Sequence, residues 1–437
     1  MSRFRVLVSA FACAPGGAVE KFGGGELILG WNVIQQLGRF HDVWVLTHFQ
    51  NRDAIERGQT PTGPRSLHFC YLGLPGPLER LKAAQGGIQF YTYVWQLYAY
   101  FVARRLHREV RFDLFHHVTY ANDWMASFIG AFLPVPYLRG PGGGAHRTPK
   151  SFLCEYPFRA RLWERFRAIM QWFFRHDPIF LRGQARAGAL LLCNREAADA
   201  VPSRLKSKVQ LFPVNGISVE DMRIFSSTDG NRASGTEPDG KRQRLPGPGF
   251  HVLSAGKLLG LKGHALAIRA FALFAREHPG SQFTLVGDGP ERPRLEGLVR
   301  ELGMERQVHL ARWMPRPELL NLMRGNDVFL FPSLRDGGGA VVIEAMAAGK
   351  PVICMDLAGP AMHVKEECGI KIPARSPQEA VGLMAQALEK LHQNPELRAK
   401  MGEAARRRVQ EFYTWDHLGD RLLEICREVL GVRCQEV

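Results

Sequence analysis

Short apolar runs of four or five residues alternate along this chain with longer stretches in which apolar residues return every three or four positions. The short runs predict strands buried on both faces and the longer stretches amphipathic helices, so the pattern predicts parallel sheets built from strand-helix-strand units. In the first half the predicted strands are residues 5–9, 43–47, 68–72, 114–118, 135–138, 189–193 and 209–212. The second half offers 252–255, 283–287, 308–311, 328–331, 352–355 and 369–372. Between the two sets, residues 226–249 are rich in Ser, Gly, Pro and charge and predict an exposed linker. At 437 residues the chain exceeds one ordinary core, and two doubly wound α/β domains follow.

The densest chemistry lies after the strand at 328–331. Gly337, Gly338 and Gly339 permit a tight turn and close approach of a ligand, and a helix from Ala340 runs until Gly349 ends it. Asp336 and Glu344 stand on either side of that turn. Backbone N–H groups and the helix dipole there favour an anion, while the carboxylates can accept hydrogen bonds from hydroxyls. A phosphate joined to a sugar suits that combination.

A second glycine-rich turn, Ala255-Gly-Lys-Leu-Leu-Gly-Leu-Lys-Gly-His264, puts Lys257 and Lys262 between a strand and a helix, where they can clamp a diphosphate. Leu285-Val-Gly-Asp-Gly-Pro290 reads as mainly structural. Trp313 and Met314 end a further strand, with base contact and packing both open for Trp313. In the first half, Gly24, Gly25 and Glu26 follow the first strand, His116 and His117 close another, and Arg139-Gly-Pro-Gly-Gly-Gly144 closes a third. The two histidines point to opposite faces of their strand, so at most one approaches a substrate; register leaves the choice between them open, with His117 the candidate to approach the donor sugar.

These motifs resemble retaining glycosyltransferases of family 4: two carboxylates with seven residues between them, then Glu344-Ala-Met-Ala-Ala-Gly-Lys-Pro-Val352. The family usually has Glu where Asp336 stands and Arg where Lys257 stands, while Lys262 matches. The resemblance implies the GT-B fold, two facing Rossmann-like domains with a crevice between them. It implies an acceptor-side domain at 1–215, a linker at 216–249, a nucleotide-sugar domain at 250–412 and a crossing helix at 413–437. Asp336 would hold donor-sugar hydroxyls and Glu344 the ribose, and the loop of Trp313 and Met314 would cradle the base. Gly24, Gly25 and Glu26 would lie against diphosphate and acceptor, and Arg139 and Gly143 on the acceptor side. Retention of configuration and an acceptor that is a glycan or lipid-linked sugar in polysaccharide synthesis come from the same source. No Asp-x-Asp occurs, so no metal and no other cofactor is expected, and the nucleoside-diphosphate-sugar is a co-substrate.

A formal charge of +15 calls for an anionic partner or a basic solvated surface. Nucleic acid is disfavoured, because no zinc-finger, RNP-like or helix-turn-helix pattern stands out. Residues 158–175 interleave Phe158, Leu162, Trp163, Phe166, Ile169 and Phe173 with five arginines. That helix can lie on an anionic membrane or pack its aromatic face on a sheet. The same choice applies to the aromatic run at 90–101. Eight cysteines without a Cys-x-x-Cys pair predict buried thiols of a reducing compartment. The short apolar run at the N-terminus reads as a first strand, and no stretch is long enough to span a membrane. A cytoplasmic protein, peripheral on the inner membrane face, is expected. The competing class is a non-catalytic nucleotide-sugar or lipid-binding protein on the same fold.

Overall fold

The structure is a computed structural model and describes residues 3–15, 25–58, 66–80, 87–122, 124–144, 146–226, 235–236, 242–243 and 249–432. Most of the predicted linker at 226–249 lies outside the described residues. The chain divides into two units, one of residues 1–145, 165–214 and 415–437, the other of residues 146–164 and 215–414.

The first unit is a parallel sheet of β1 (Arg5–Ser9), β2 (Asp42–His48), β3 (Leu67–Leu72), β4 (Leu114–His117), β5 (Tyr137–Gly142), β6 (Ala189–Leu192) and β7 (Val209–Leu211). Their order is β3-β2-β1-β4-β5-β6-β7. Helices along this part of the chain are α1 (Gly25–Phe40), α2 (Arg52–Gly58), α3 (Gly76–Glu79), α4 (Gly87–Val110), α5 (Phe128–Phe132), α6 (Phe158–Arg175), α7 (Pro178–Arg186) and α8 (Arg195–Asp199). Because side chains alternate along a strand, β1 feeds two cores. Val6 and Val8 pack with Leu29, Val33 and Ile34 of α1, whereas Leu7 packs with Tyr91 and Trp95 of α4. Each such fully buried side chain contributes about 1.5–3 kcal/mol.

Strand β5 departs from the predicted 135–138. Pro134 and Pro136 have no N–H to give a ladder, so pairing starts at Tyr137 and runs on through Arg139-Gly-Pro-Gly142. A Cβ at Gly142 would stand 1.9 Å from the Ala121 carbonyl oxygen, which leaves room for glycine alone.

The second unit holds α9 (Val219–Ser226), a two-residue ribbon of β8 (Gly235–Thr236) and β9 (Arg242–Gln243), and a six-stranded parallel sheet. Its strands are β10 (His251–Ala255), β11 (Gln282–Val286), β12 (Val308–Ala311), β13 (Val328–Phe331), β14 (Val352–Met355) and β15 (Gly369–Ile372), ordered β12-β11-β10-β13-β14-β15. The helices are α10 (His264–Ala275), α11 (Arg292–Glu301), α12 (Arg316–Gly325), α13 (Ala340–Ala347), α14 (Ala358–His363), α15 (Pro377–Gln393) and α16 (Pro395–Phe412). On one face Val252, Val328 and Leu330 meet α10 and α15 through Leu266, Phe271 and Leu388. On the other, Leu253, Phe329 and Phe331 meet α13 and α16 through Ile343, Met346 and Val409.

Two segments leave the order of the chain. Helix α17 (Trp415–Leu430) packs in the first unit, its Leu418, Leu422 and Ile425 sharing a core with Ile34 and Leu37 of α1. Residues 146–164 group with the second unit, although the sequence reading put everything up to 215 in the first domain. Phe152 and Tyr156 are buried there beside Leu258 and Leu266, a contact over a hundred residues of separation that no local pattern reveals. Among the described residues the cysteines differ from expectation at two positions: Cys154 is exposed on a short 3-10 turn and Cys70 is half-buried, while Cys13, Cys193, Cys354, Cys368 and Cys426 are buried as thiols.

Candidate active site

In the second sheet the strand order reverses between β10 and β13. Connections on either side of that point leave in opposite directions and open a crevice at the carboxyl ends of the two strands. The turn carrying Lys257 and Lys262 follows β10, and the turn carrying Asp336 follows β13, so both motifs flank the reversal. They are stitched together: the Leu334 N–H donates to the Leu261 carbonyl at 2.9 Å. Gly263 has φ +65°, and a Cβ there would meet the Pro332 carbonyl oxygen at 2.2 Å, so a side chain would force the turns apart.

Across this junction the Lys262 ammonium forms an ion pair with Asp336 Oδ2, both side chains largely buried, and stands 5.5 Å from the centroid of the Phe331 ring. Asp336 Oδ1 accepts from the N–H groups of Gly338 at 3.1 Å and Gly339 at 2.8 Å. Burial pushes the Asp336 carboxyl up, but the Lys262 ammonium and the two glycine N–H groups outweigh it and hold the acid below its ordinary 3.8. The first anion at the start of α13 is therefore Asp336 itself. By helix geometry the N–H groups of Ala340 and Val341 still lack an intrahelical acceptor.

The glycine turn is braced from behind by a residue that the sequence reading missed. His363 Nε2 donates to the Gly338 carbonyl at 2.7 Å, and burial lowers this imidazole to about 4, so it is neutral and able to keep that bond. Gly359 presses against the same turn, where a Cβ would lie 2.4 Å from the Gly337 carbonyl oxygen.

Glu344, one turn along α13, accepts from Arg316 Nε at 2.8 Å, and Arg316 also binds Asp221. Burial raises the Glu344 carboxyl above its usual 4.5, and the Arg316 guanidinium opposes that shift. Neither Arg316 nor Asp221 carries a motif signal. Trp313 is 55% exposed, which excludes a core role, and Met314 is half-buried against the core. The Trp313 N–H donates to Asp288 Oδ2 at 2.9 Å, while Arg292 bridges Asp288 Oδ1 at 3.0 Å and the Ala311 carbonyl at 2.9 Å. The Gly-Asp-Gly turn thus positions the Trp313 loop. Lys257 is exposed and makes no ion pair among the described residues.

The first sheet has its own reversal, between β1 and β4, and the loops that follow those strands meet there. Glu26 Oε2 accepts from the Tyr120 N–H at 3.1 Å. Gly25 has open space where a side chain would be, and Gly24 lies outside the described residues. Other candidates in this unit sit deeper than expected. His117 is fully buried, and that burial, with Arg139 beside it, drives its imidazole well below 6.5 and keeps it uncharged. His116 is equally buried and bonds the Gly140 carbonyl at 2.6 Å through Nε2. Arg139, expected to face an acceptor, is 3% exposed. Its Nη2 donates to the carbonyls of Asn122 and Met125 at 2.5 and 2.7 Å, so it braces the loop after β4. Gly143 backs onto Cys193, whose Sγ would lie 2.4 Å from a Cβ.

Two parallel, doubly wound Rossmann-like units define the GT-B class of fold. Sucrose-phosphate synthase from Thermosynechococcus elongatus superposes with a TM-score of 0.64 at 18% identity, covering 99% of this chain and 100% of that one. Residues 236–408 match the family Glycosyl transferases group 1. Among curated relatives, the alpha-D-kanosaminyltransferase of Streptomyces kanamyceticus is 28% identical over 64% of this chain and 68% of its own length. A D-inositol 3-phosphate glycosyltransferase of Acidothermus cellulolyticus is 31% identical over 48% of this chain and 46% of its own, so the chain spans about half the length of that relative.

The buried pair sets a pH signature. Ionised Asp336 contributes stability above its unfolded value of about 3.8, and that contribution is lost as pH falls through the lower folded value. Asp336→Asn is expected to cost about 1–3 kcal/mol at pH 7, with the gap to wild type narrowing as the solution is acidified below about pH 4. Urea unfolding across pH checks this; a gap that does not change with pH contradicts it.

Proposed function

We propose that the protein transfers a sugar, of hexose type, from a nucleoside diphosphate to an acceptor hydroxyl with retention of configuration. The observation that carries this reading is the Lys262–Asp336 pair at the strand-order reversal, beside the open N-terminus of α13. Lys262, exposed Lys257 and the N–H groups of Ala340 and Val341 would take the diphosphate, with Gly337, Gly338 and Gly339 allowing it close. Asp336, fixed by two backbone donors, would accept from the sugar hydroxyls. Glu344, oriented by Arg316, would accept from the ribose, and the base would lie along Trp313 and Met314. On the acceptor side Gly24, Gly25, Glu26 and Gly143 would contribute surface, with His117 and Arg139 supporting their loops from within.

Cleavage of the bond between the sugar C1 and the phosphate oxygen adds a further negative charge to a diphosphate that already carries two. The Lys262 and Lys257 ammonium groups and the helix N–H donors would meet that demand, so no metal ion is assigned to the diphosphate. In a front-face transfer the acceptor oxygen bonds C1 on the side the phosphate leaves, and its proton passes to the departing phosphate oxygen. Lys262→Ala should lower transfer by roughly two to three orders of magnitude in a folded protein. By calorimetry with UDP and GDP, Glu344→Ala should weaken nucleotide binding, whereas Asp336→Asn should spare it and impair turnover. Equal loss of affinity in both variants overturns the division of roles.

The acceptor proposed is a glycan or lipid-linked sugar of polysaccharide synthesis, reached at the cytoplasmic face of a membrane. Support comes from α6, whose one buried residue is Gln171. Phe158, Leu162, Phe166, Ile169, Trp172 and Phe173 are 47–73% exposed, and Arg159, Arg161 and Arg165 are exposed among them. Phe174 packs against Tyr93 and Trp124 on the helix's other side. Helix α4 divides its aromatics, burying Tyr91 and Trp95 and exposing Phe90, Tyr98 and Phe101. Among the described residues no helix is long and apolar enough to cross a membrane. Arginines at an anionic surface contribute about 1 kcal/mol each, and inserted aromatics add a part that salt does not screen. Wild type is expected to float with anionic liposomes, more strongly at low salt, and less with neutral ones. Failure to float with anionic liposomes at low salt contradicts the membrane placement.

A further inference from the structure

On the second unit, away from the donor turns, two helices end together. Helix α10 begins beside Lys262 and extends twelve residues, roughly 18 Å, before the turn that carries His278. Helix α15 brings Glu389 and His392, one turn apart on the same face, to its last turn. Ligating atoms of His278, Glu389 and His392 lie within 4.8 Å of one another. We propose that these three residues form a binding site for a divalent cation of the Zn2+ class, held by two imidazole nitrogens and one carboxylate oxygen, with water in the fourth position. This inference does not rest on the transferase reading.

The donor set, two histidines and a carboxylate, is one that suits zinc. Ligands about 2.0–2.2 Å from a tetrahedral ion stand roughly 3.4 Å apart, so small side-chain rotations close the site. His278 Nε2 already lies 2.6 Å from Glu389 Oε2, and the two imidazole rings are 4.1 Å apart between centroids. Gln393 bonds the other carboxylate oxygen, Oε1, and so steadies Glu389 without covering Oε2. Phe274 lies 4.6 Å from the His278 ring and Phe250 5.1 Å from the His392 ring, centroid to centroid, which limits ring motion.

Electrostatics favour a cation as well. Both α10 and α15 point their C-terminal, partially negative ends at this place. His392 Nδ1 is buried without a hydrogen-bond partner among the described residues. The nearby cation is Arg398; it donates to the His392 carbonyl at 3.0 Å and stands 3.7 Å from Asp327, which offsets its charge. An ion here would clasp α10 to α15, a structural role distinct from the donor turns.

The test uses the full chain stripped of metal with chelator and desalted. Calorimetric titration with Zn2+ alone should show one site per chain that His278→Ala and His392→Ala weaken at least roughly 100-fold. Co2+ should give the intense visible bands of a tetrahedral ion in wild type and not in the variants. Zn2+ at a hundred times its Kd should raise the melting temperature of wild type by about 5 °C and leave the variants unmoved. Should the alanine variants fold poorly, Glu389→Gln, which keeps the side chain's shape, must still lose affinity. Wild type that takes up no stoichiometric Zn2+, or variants that bind as wild type does, would overturn the site and leave an ordinary histidine–glutamate contact.

Discussion

Parallel strands cannot be joined by tight turns, so each strand must be followed by a crossover, and a sheet whose order reverses sends neighbouring crossovers to opposite faces. In the second unit that constraint acts between β10 and β13 and leaves their carboxyl ends uncovered. Lys262 and Asp336 occupy the gap and bind each other. Much of the surrounding local structure follows from keeping that pair in place. Gly263 is bare because the Pro332 carbonyl passes where its side chain would be, and His363 stays neutral so that it can hold the Gly338 carbonyl.

The pair also explains how a buried acid and a buried base coexist without distorting the fold. A carboxylate taken out of water is costly unless it is paired and hydrogen-bonded. Asp336 meets that condition with one ammonium and two backbone N–H groups. Glu344 meets it less fully, since its carboxyl stays raised despite Arg316, and an incoming hydroxyl donor would complete its shell. The two carboxylates of one motif thus have different electrostatic environments, which underlies the different roles assigned to them.

Strands and glycine turns were legible in the sequence because both are local. Fully buried strands such as Val328–Phe331 declare themselves by uninterrupted apolar residues, and a strand-end turn declares itself by its glycines. What was not legible depends on distance along the chain. Arg316 and Asp221 are ninety-five residues apart and look like ordinary surface charges until the fold joins them beside Glu344. Arg139 and His117 looked like ligand-facing groups because they end strands, yet both are buried, and Arg139 is spent on backbone carbonyls. Position at a strand end identifies the neighbourhood of a site, whereas burial and competing partners decide which side chain is left for a ligand. The exposed face of α6 shows the converse: periodicity revealed the stripe, but only the fold shows that nothing in the described structure covers Phe158 or Ile169.

The central claim is that the turns after β10 and β13 bind a nucleoside-diphosphate sugar and activate its C1–oxygen bond. The most direct measurement is incubation of the full chain with a panel of labelled UDP- and GDP-sugars, with release of free nucleoside diphosphate and the anomeric configuration of the sugar product followed together. The account predicts turnover of at least one donor, by transfer or slow hydrolysis, with the configuration retained. Binding of no nucleoside diphosphate and turnover of no donor would contradict the account, and turnover with inverted configuration would contradict the proposed mechanism.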